Sequence, residues 1–486
     1  MNHLSPLLAT VTLALSTAAM AATAPPATPA PTAIATAPAA PPAPGCVSTL
    51  SGPAAYDAFA TGLLGVQYGY PLVDLLAQMH NETHHLIGGQ RVYAPVNDYY
   101  RFQQLLTPST QGNLRAPNAD TLYLNAWLDL RQGPVVLHVP DTADRYYTLA
   151  LMDLYSLPVH IGRRTTGTRD GRFAIIPPGW KGKLHKGVKP FPVATDRMWI
   201  LGRLLVNGAA DLPAASALLA QFTIETLDGK PAAALPYATA AATAAPVEPL
   251  RPHGKPEFFA VLNEALRSLP APPPEAALLA QFDRLGFGPK TTFQFEQLPA
   301  PAREGLACAA QVGGAVVSAT GFRPTSVQNG WMLAANVAQP GFDFPLRAAV
   351  ARGGYVNDPA EALYPATPID SEGARLDGSL RYRLRFAPGQ LPPVDAFWSV
   401  TPYESSGFKL VDNPIARYAI GDRTPGLRLE ADGSLEITLS ATAPSDPQAN
   451  WLPIPPGPFH LVARLYQPKP AALNGIWHMP PVERLP

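Results

Sequence analysis

The chain has 486 residues, enough for two or three domains, with 47% apolar and only 15% charged residues. Lys plus Arg and Asp plus Glu both total 36. This neutrality argues against nucleic acid as a partner, and no basic amphipathic stretch points to a membrane surface.

Residues 1–21 have the form of an export signal: an apolar run over 7–20, then Ala19-Met20-Ala21 as a small-x-small cleavage site. At 14 residues the run is short for a bilayer span, so no integral span is expected after cleavage. Residues 22–45 contain eight prolines and no charge. Such a segment cannot bury enough surface to order itself and reads as a spacer, reaching about 75 Å if extended. Cys46 and Cys308 are the only cysteines. In an oxidising compartment a lone pair tends to join, so a disulfide between them is expected in a periplasmic or secreted protein.

After the spacer, residues 57–79 carry helical apolar spacing, with Gly62, Gly65 and Gly69 available for close packing and Pro71 expected to break or kink the helix. Short apolar runs at 121–130, 135–139, 146–152, 173–176 and 199–206 alternate with turn residues and read as strands. Residues 207–320 interrupt them with helices near 258–269, 274–285 and 304–317. Strands return at 382–386, 396–400, 435–439 and 459–466. The expected layout is a first β domain with an N-terminal helix over 46–206, a helical insert over 207–320 and a second β domain over 321–486. The fold class is mainly β with helical insertions, in two sandwich or jelly-roll-like domains.

One strand unit is used twice. Residues 161–167 read I-G-R-R-T-T-G and residues 420–426 read I-G-D-R-T-P-G, five of seven positions agreeing. A Tyr-containing run precedes each. A Pro-Pro-Gly turn follows each, at Pro177-Pro178-Gly179 and Pro455-Pro456-Gly457, and then an apolar run ending in Arg-Leu.

Further motifs carry a family resemblance. Pro117-Asn118-Ala119-Asp120-Thr121-Leu122-Tyr123, followed by Ala126-Trp127-Leu128-Asp129-Leu130, resembles the signature of the bacterial family called domain of unknown function 1254. Pro392-Pro393-Val394-Asp395-Ala396-Phe397-Trp398, with Asn413-Pro414-Ile415-Ala416-Arg417-Tyr418, resembles its usual companion, domain of unknown function 1214. The resemblance covers about 66–486 and implies two sandwich-like domains, export and a homo-oligomer. It implies no settled activity. The cluster His80, Glu82, His84 and His85 departs from the family pattern.

Among the residues that could carry chemistry, Asp120 at a strand entrance suits a general base or a metal ligand, with Asn118 and Tyr123 positioning a substrate. The same Asn and Asp equally suit a turn that caps backbone amides. Arg164 and Arg423, each between Gly and Thr in the repeat, could clamp an anion or make structural ion pairs. Trp398, Tyr403, Trp451 and Trp477 suit a flat ligand or a sandwich core. His80 and His84, four apart on a helix, are a weak zinc signal. No Gly-x-Ser-x-Gly, phosphate-cradling loop or Cys-x-x-Cys occurs. These residues point to a small-molecule hydrolase that uses a carboxylate- or metal-activated water. The alternatives are a non-catalytic envelope protein that binds a ligand and a structural oligomer. The cofactor is unknown, a divalent metal being the one class they could hold.

Overall fold

The computed structural model describes residues 45–84, 86–87, 90–91, 94–111, 116–232, 250–269, 273–320, 324–334, 337–353, 356–406 and 408–486. The signal, nearly all of the spacer, His85 and most of the Pro/Ala-rich 231–246 stretch lie outside them. Two β sandwiches and a helical layer make up the fold. The first sandwich faces a five-stranded antiparallel sheet, in the order Tyr100–Phe102, Thr121–Asp129, Arg197–Leu205, Tyr147–Met152, Pro158–Gly162, against a four-stranded one. The latter runs Thr223–Glu225, Val135–Val139, Gly171–Ile176, Val188–Pro192. The second sandwich repeats this plan. Its four-stranded sheet runs Val482–Arg484, Tyr382–Phe386, Leu435–Ser440, Trp451–Pro453, and its larger sheet contains Phe459–Pro468, Val394–Glu404 and Ile420–Gly421 side by side. In both small sheets the last two strands are the parallel pair. The duplicated strand unit therefore extends to topology.

Register makes the two copies superimpose residue by residue. Arg203 pairs with Thr148, which pairs with Gly162; Arg464 pairs with Ser399, which pairs with Gly421. Thr121 lies opposite Leu205 as Ala362 lies opposite Tyr466. Asp120-Thr121-Leu122-Tyr123 thus corresponds to Glu361-Ala362-Leu363-Tyr364. The paired glycines have one cause. A Cβ on Gly162 would approach the Tyr147 carbonyl oxygen to 2.8 Å, and one on Gly421 the Trp398 oxygen to 2.1 Å.

Strand Thr121–Asp129 is buried along both faces. Its even residues Leu122, Leu124 and Leu128 fill the sandwich core, while Tyr123 and Trp127 pack against the helices. Each such fully buried side chain contributes about 1.5–3 kcal/mol.

The helix Pro53–His84 runs through Pro71 without breaking. It packs on Glu257–Ser268 and Ala300–Thr320, so it belongs to the helical layer rather than to the first sandwich. Its glycines are where neighbours approach: a Cβ on Gly62 would lie 2.8 Å from Leu306, and one on Gly69 2.6 Å from Leu262. Cys46 and Cys308 form the expected disulfide, Cα atoms 5.7 Å apart, fixing the start of this segment to the helix Ala300–Thr320. The first sandwich extends beyond 206, because Thr223–Glu225 completes its small sheet. Among the described residues no helix is long and apolar enough to cross a membrane.

Candidate functional site

The large sheets of the two sandwiches meet across a polar layer, and the repeated heptapeptides supply its ends. Arg164 reaches from the first sandwich to Glu361 of the second, Nε to Oε2 at 2.9 Å. Arg423 reaches from the second to Asp120 of the first, Nη2 to Oδ1 at 2.8 Å. Asp120 and Glu361 are counterparts in register, so the duplication has built one ion pair twice, in exchanged directions. Both carboxylates are buried. Burial pushes the Glu361 carboxyl up, against the pull of Arg164 and Tyr146.

The residues expected to carry chemistry are brought together here, but as partners of one another. Asn118 Oδ1 accepts from the Asp120 and Thr121 amides and the Thr121 hydroxyl, each at 3.0 Å, which is the amide-capping turn. Its Nδ2 donates to Tyr466 at 2.8 Å, and its backbone N–H donates to the Tyr123 hydroxyl at 3.1 Å. The second Asp120 oxygen accepts from Ser399 at 2.7 Å. Arg423 also lies over the Phe397 ring, 4.1 Å from its centroid.

Other candidates are placed elsewhere. Trp398 is in the second sandwich core against Phe386, and Trp451 is buried with its indole N–H on the Ser440 carbonyl. Trp477 donates to the Gln390 carbonyl. His80 and His84 stack on each other at 4.9 Å. Glu82 points the other way, into the strand, accepting from Trp127, Asn125 and Gln78. Among the described residues no three His, Cys, Asp or Glu side chains are grouped so as to hold a metal.

Sequence reasoning missed the centre of the layer. Arg203 and Arg464, the arginines of the two Arg-Leu endings, lie there among Tyr123, Tyr364 and Tyr466, which are in electrostatic reach of both. Among the described residues neither forms a salt bridge. Arg464 is nonetheless satisfied: Nη1 donates to Thr401 at 3.1 Å, and Nη2 to the Ala116 carbonyl at 2.7 Å and Tyr403 at 2.6 Å. Among the described residues Arg203 makes a single long bond, Nη1 to Asn357 Oδ1 at 3.4 Å, and its buried Nε has no partner. Tyr123 lies beneath it at 5.5 Å. Beside it, His160 bonds Thr148 through Nδ1 at 3.0 Å, and its Nε2 accepts from the Asp358 amide at 3.4 Å. Burial, with Arg164 and Arg203 adding to it, pulls His160 down to about 3, so it is neutral. The available signal was the repeat: Asp-Thr-Leu-Tyr matched by Glu-Ala-Leu-Tyr, and Arg-Leu by Arg-Leu.

An open groove of about 640 Å³ runs along the outer edge of this layer, lined by Asp144, Arg163, Arg164, Ala360, Asp395 and Gln467. A smaller one of about 360 Å³ adjoins it and includes Tyr146. Arg164 lines the larger groove, and the Glu361 it pairs with is in electrostatic reach of Arg203.

Comparison with known proteins agrees with the two-part reading. Residues 96–226 match a family described as protein of unknown function, DUF1254, and residues 361–470 match another, DUF1214. No curated protein matches the chain. The VPA0106 protein from Vibrio parahaemolyticus is similar in structure, with a TM-score of 0.65 at 23% identity over 88% of this chain and 100% of that one. An uncharacterised protein from Burkholderia cenocepacia gives a TM-score of 0.42 at 14% identity, over 91% and 98% of the two chains. At these identities the first likeness concerns the fold alone. With its two sandwiches matched in chain order, the chain belongs to the two-domain proteins that join a DUF1254 region to a DUF1214 region.

Proposed function

We propose that this is an exported protein that binds a small molecule between its two sandwiches. The observation that carries the reading is Arg203. A guanidinium stays charged at any physiological pH, and taking it out of water without a counter-ion is costly. A ligand that brought an acceptor would complete it. The hydrolase reading draws less support, because both Asp120 oxygens already serve the bridge to the second sandwich. Export is supported by the signal pattern and by the disulfide, which persists in oxidising compartments.

Two measurements test this. N-terminal sequencing of envelope-fraction protein should start at or near Ala22, and an intact Met1 on a cytoplasmic species rejects export. A thermal-shift screen of envelope metabolites should find a stabilising ligand, since one present at about 100 times its dissociation constant adds about 2.7 kcal/mol. Ligands that act equally on wild type and Arg203→Met would place binding elsewhere.

A further inference from the structure

Resting on that reading, we infer that the ligand held between the sandwiches is a monocarboxylate, gripped side-on by Arg203 and by tyrosine hydroxyls from both sandwiches.

The first argument is a surplus of donors. Tyr123, Tyr364 and Tyr466 each accept an N–H bond, from the Asn118 amide, Asn357 Nδ2 and Asn118 Nδ2 respectively. Among the described residues none of the three hydroxyls donates to an acceptor. Both asparagines have their orientation fixed, Asn118 by its capped amides and Asn357 by Arg203 on its oxygen. The tyrosines therefore keep the acceptor role toward the protein and have their protons to spare. Burial holds Tyr364 and Tyr466 above the ordinary phenol range, so these protons stay on. Adding the unpartnered Arg203 Nε, the layer presents donors and lacks an acceptor. Buried donors left unpaired are costly, so an acceptor-only guest fits.

The second argument is charge. Arg164, Arg203, Arg423 and Arg464 face Asp120, Glu361 and Asp422 in this layer. Arg164 and Arg423 are paired with Glu361, Asp120 and Asp422, so among the described residues Arg203 has no ion-pair partner, and one negative charge would supply it. A phosphate dianion would overshoot.

Geometry supplies the third argument. Asn357 takes Nη1, and the Nε–Nη2 edge of Arg203 has no hydrogen-bond partner among the described residues, although Nε itself is shut off from solvent. That edge presents two parallel N–H bonds at the spacing of carboxylate oxygens. Arg203 and Tyr364 are partly exposed although His160, Asn357, Tyr123 and Tyr466 around them are buried, so solvent reaches part of both side chains.

The test measures the thermal midpoint of the full exported chain, disulfide intact, in acetate, benzoate, inorganic phosphate and neutral benzamide at equal ionic strength. Small molecules are also extracted from the purified protein and identified by mass. The expected result is stabilisation by a carboxylate, acetate, benzoate or the extracted compound, with apparent affinity reduced about tenfold or more in Arg203→Met. Tyr364→Phe, which removes one donor and keeps the ring, should lose a few-fold and serves if Arg203→Met does not fold. A carboxylate response equal in wild type and both variants overturns the proposal. Phosphate or benzamide acting alone through Arg203 overturns the carboxylate class and preserves binding between the sandwiches. No response to any probe and no extracted compound rejects both.

Discussion

Arg203 and Arg464 hold the same place in two copies of one sheet, yet one is satisfied and the other is not. The strand beside each explains it. Next to Arg464, residues 399, 401 and 403 on the inward face are Ser, Thr and Tyr, and Thr401 and Tyr403 take two of its hydrogen bonds. Next to Arg203 the corresponding residues 148, 150 and 152 are Thr, Ala and Met. The two polar side chains that anchor Arg464 are apolar in the first sandwich. Duplication thus kept both guanidiniums and removed the partners of one. The second sandwich uses its arginine to join the halves, and among the described residues the first gives its own one long hydrogen bond and no ion pair.

The largest expected effect is at the satisfied arginine. Arg464→Met should destabilise the chain by about 3 kcal/mol, because the Ala116 carbonyl and Tyr403 lose a charged donor in a buried place. Urea unfolding measures it, and a loss below that of an ordinary surface change would mean Arg464 is as idle as Arg203. The exchanged ion pairs come next. Asp120→Asn and Glu361→Gln should each cost about 2 kcal/mol, since each leaves an arginine facing a neutral amide. Strongly unequal losses would break the equivalence of the two bridges.

A smaller effect concerns acid. His160 has its folded-state value pulled below the unfolded one, so the unfolded chain binds more protons between the two. Its contribution to stability is complete above about 6.5 and is lost as pH falls toward about 3. The position corresponding to His160 in the second sandwich is Ala419. The stability of wild type relative to His160→Gln, followed by thermal unfolding, should therefore fall below pH 6.5 by up to about 1.4 kcal/mol per pH unit. Parallel curves would show that His160 does not sense the burial.

The smallest change sharpens the comparison most. Arg203→Met should leave the ligand-free chain as stable as wild type or more so, by about 1 kcal/mol, because a partly exposed charge with no ion pair is replaced by a side chain of similar volume. Calorimetry of protein stripped of small molecules checks it. A loss like that of Arg464→Met would make Arg203 a structural tie.

Local sequence carried much of this. The alternation of apolar runs with turn residues marks most strands, because a half-buried strand writes its burial with period two. Glycines in the repeat mark a close backbone approach, and a Cβ at either 162 or 421 would meet a carbonyl oxygen. Two solitary cysteines after a segment with the form of an export signal marked the disulfide. By contrast, Pro71 was expected to break or kink the helix, and the helix runs through it without a break, packed on its helical neighbours. For Asp120, Arg164 and Arg423 the sequence leaves a binding site and a structural role both open, because it shows residue types and leaves partners unstated.

By itself the sequence determined the β class, the order of sandwich, helices and sandwich, the duplication and the identity of every charged residue in it. Only the tertiary structure decided which of those charges meet. Asp120 and Arg423 are 303 positions apart and Arg164 and Glu361 are 197 apart, so no local pattern joins them. Arg203 and Arg464 look alike in the chain because each ends an apolar run in Arg-Leu. They differ in the fold because a guanidinium's fate depends on the acceptors across the sheet, and those come from other strands.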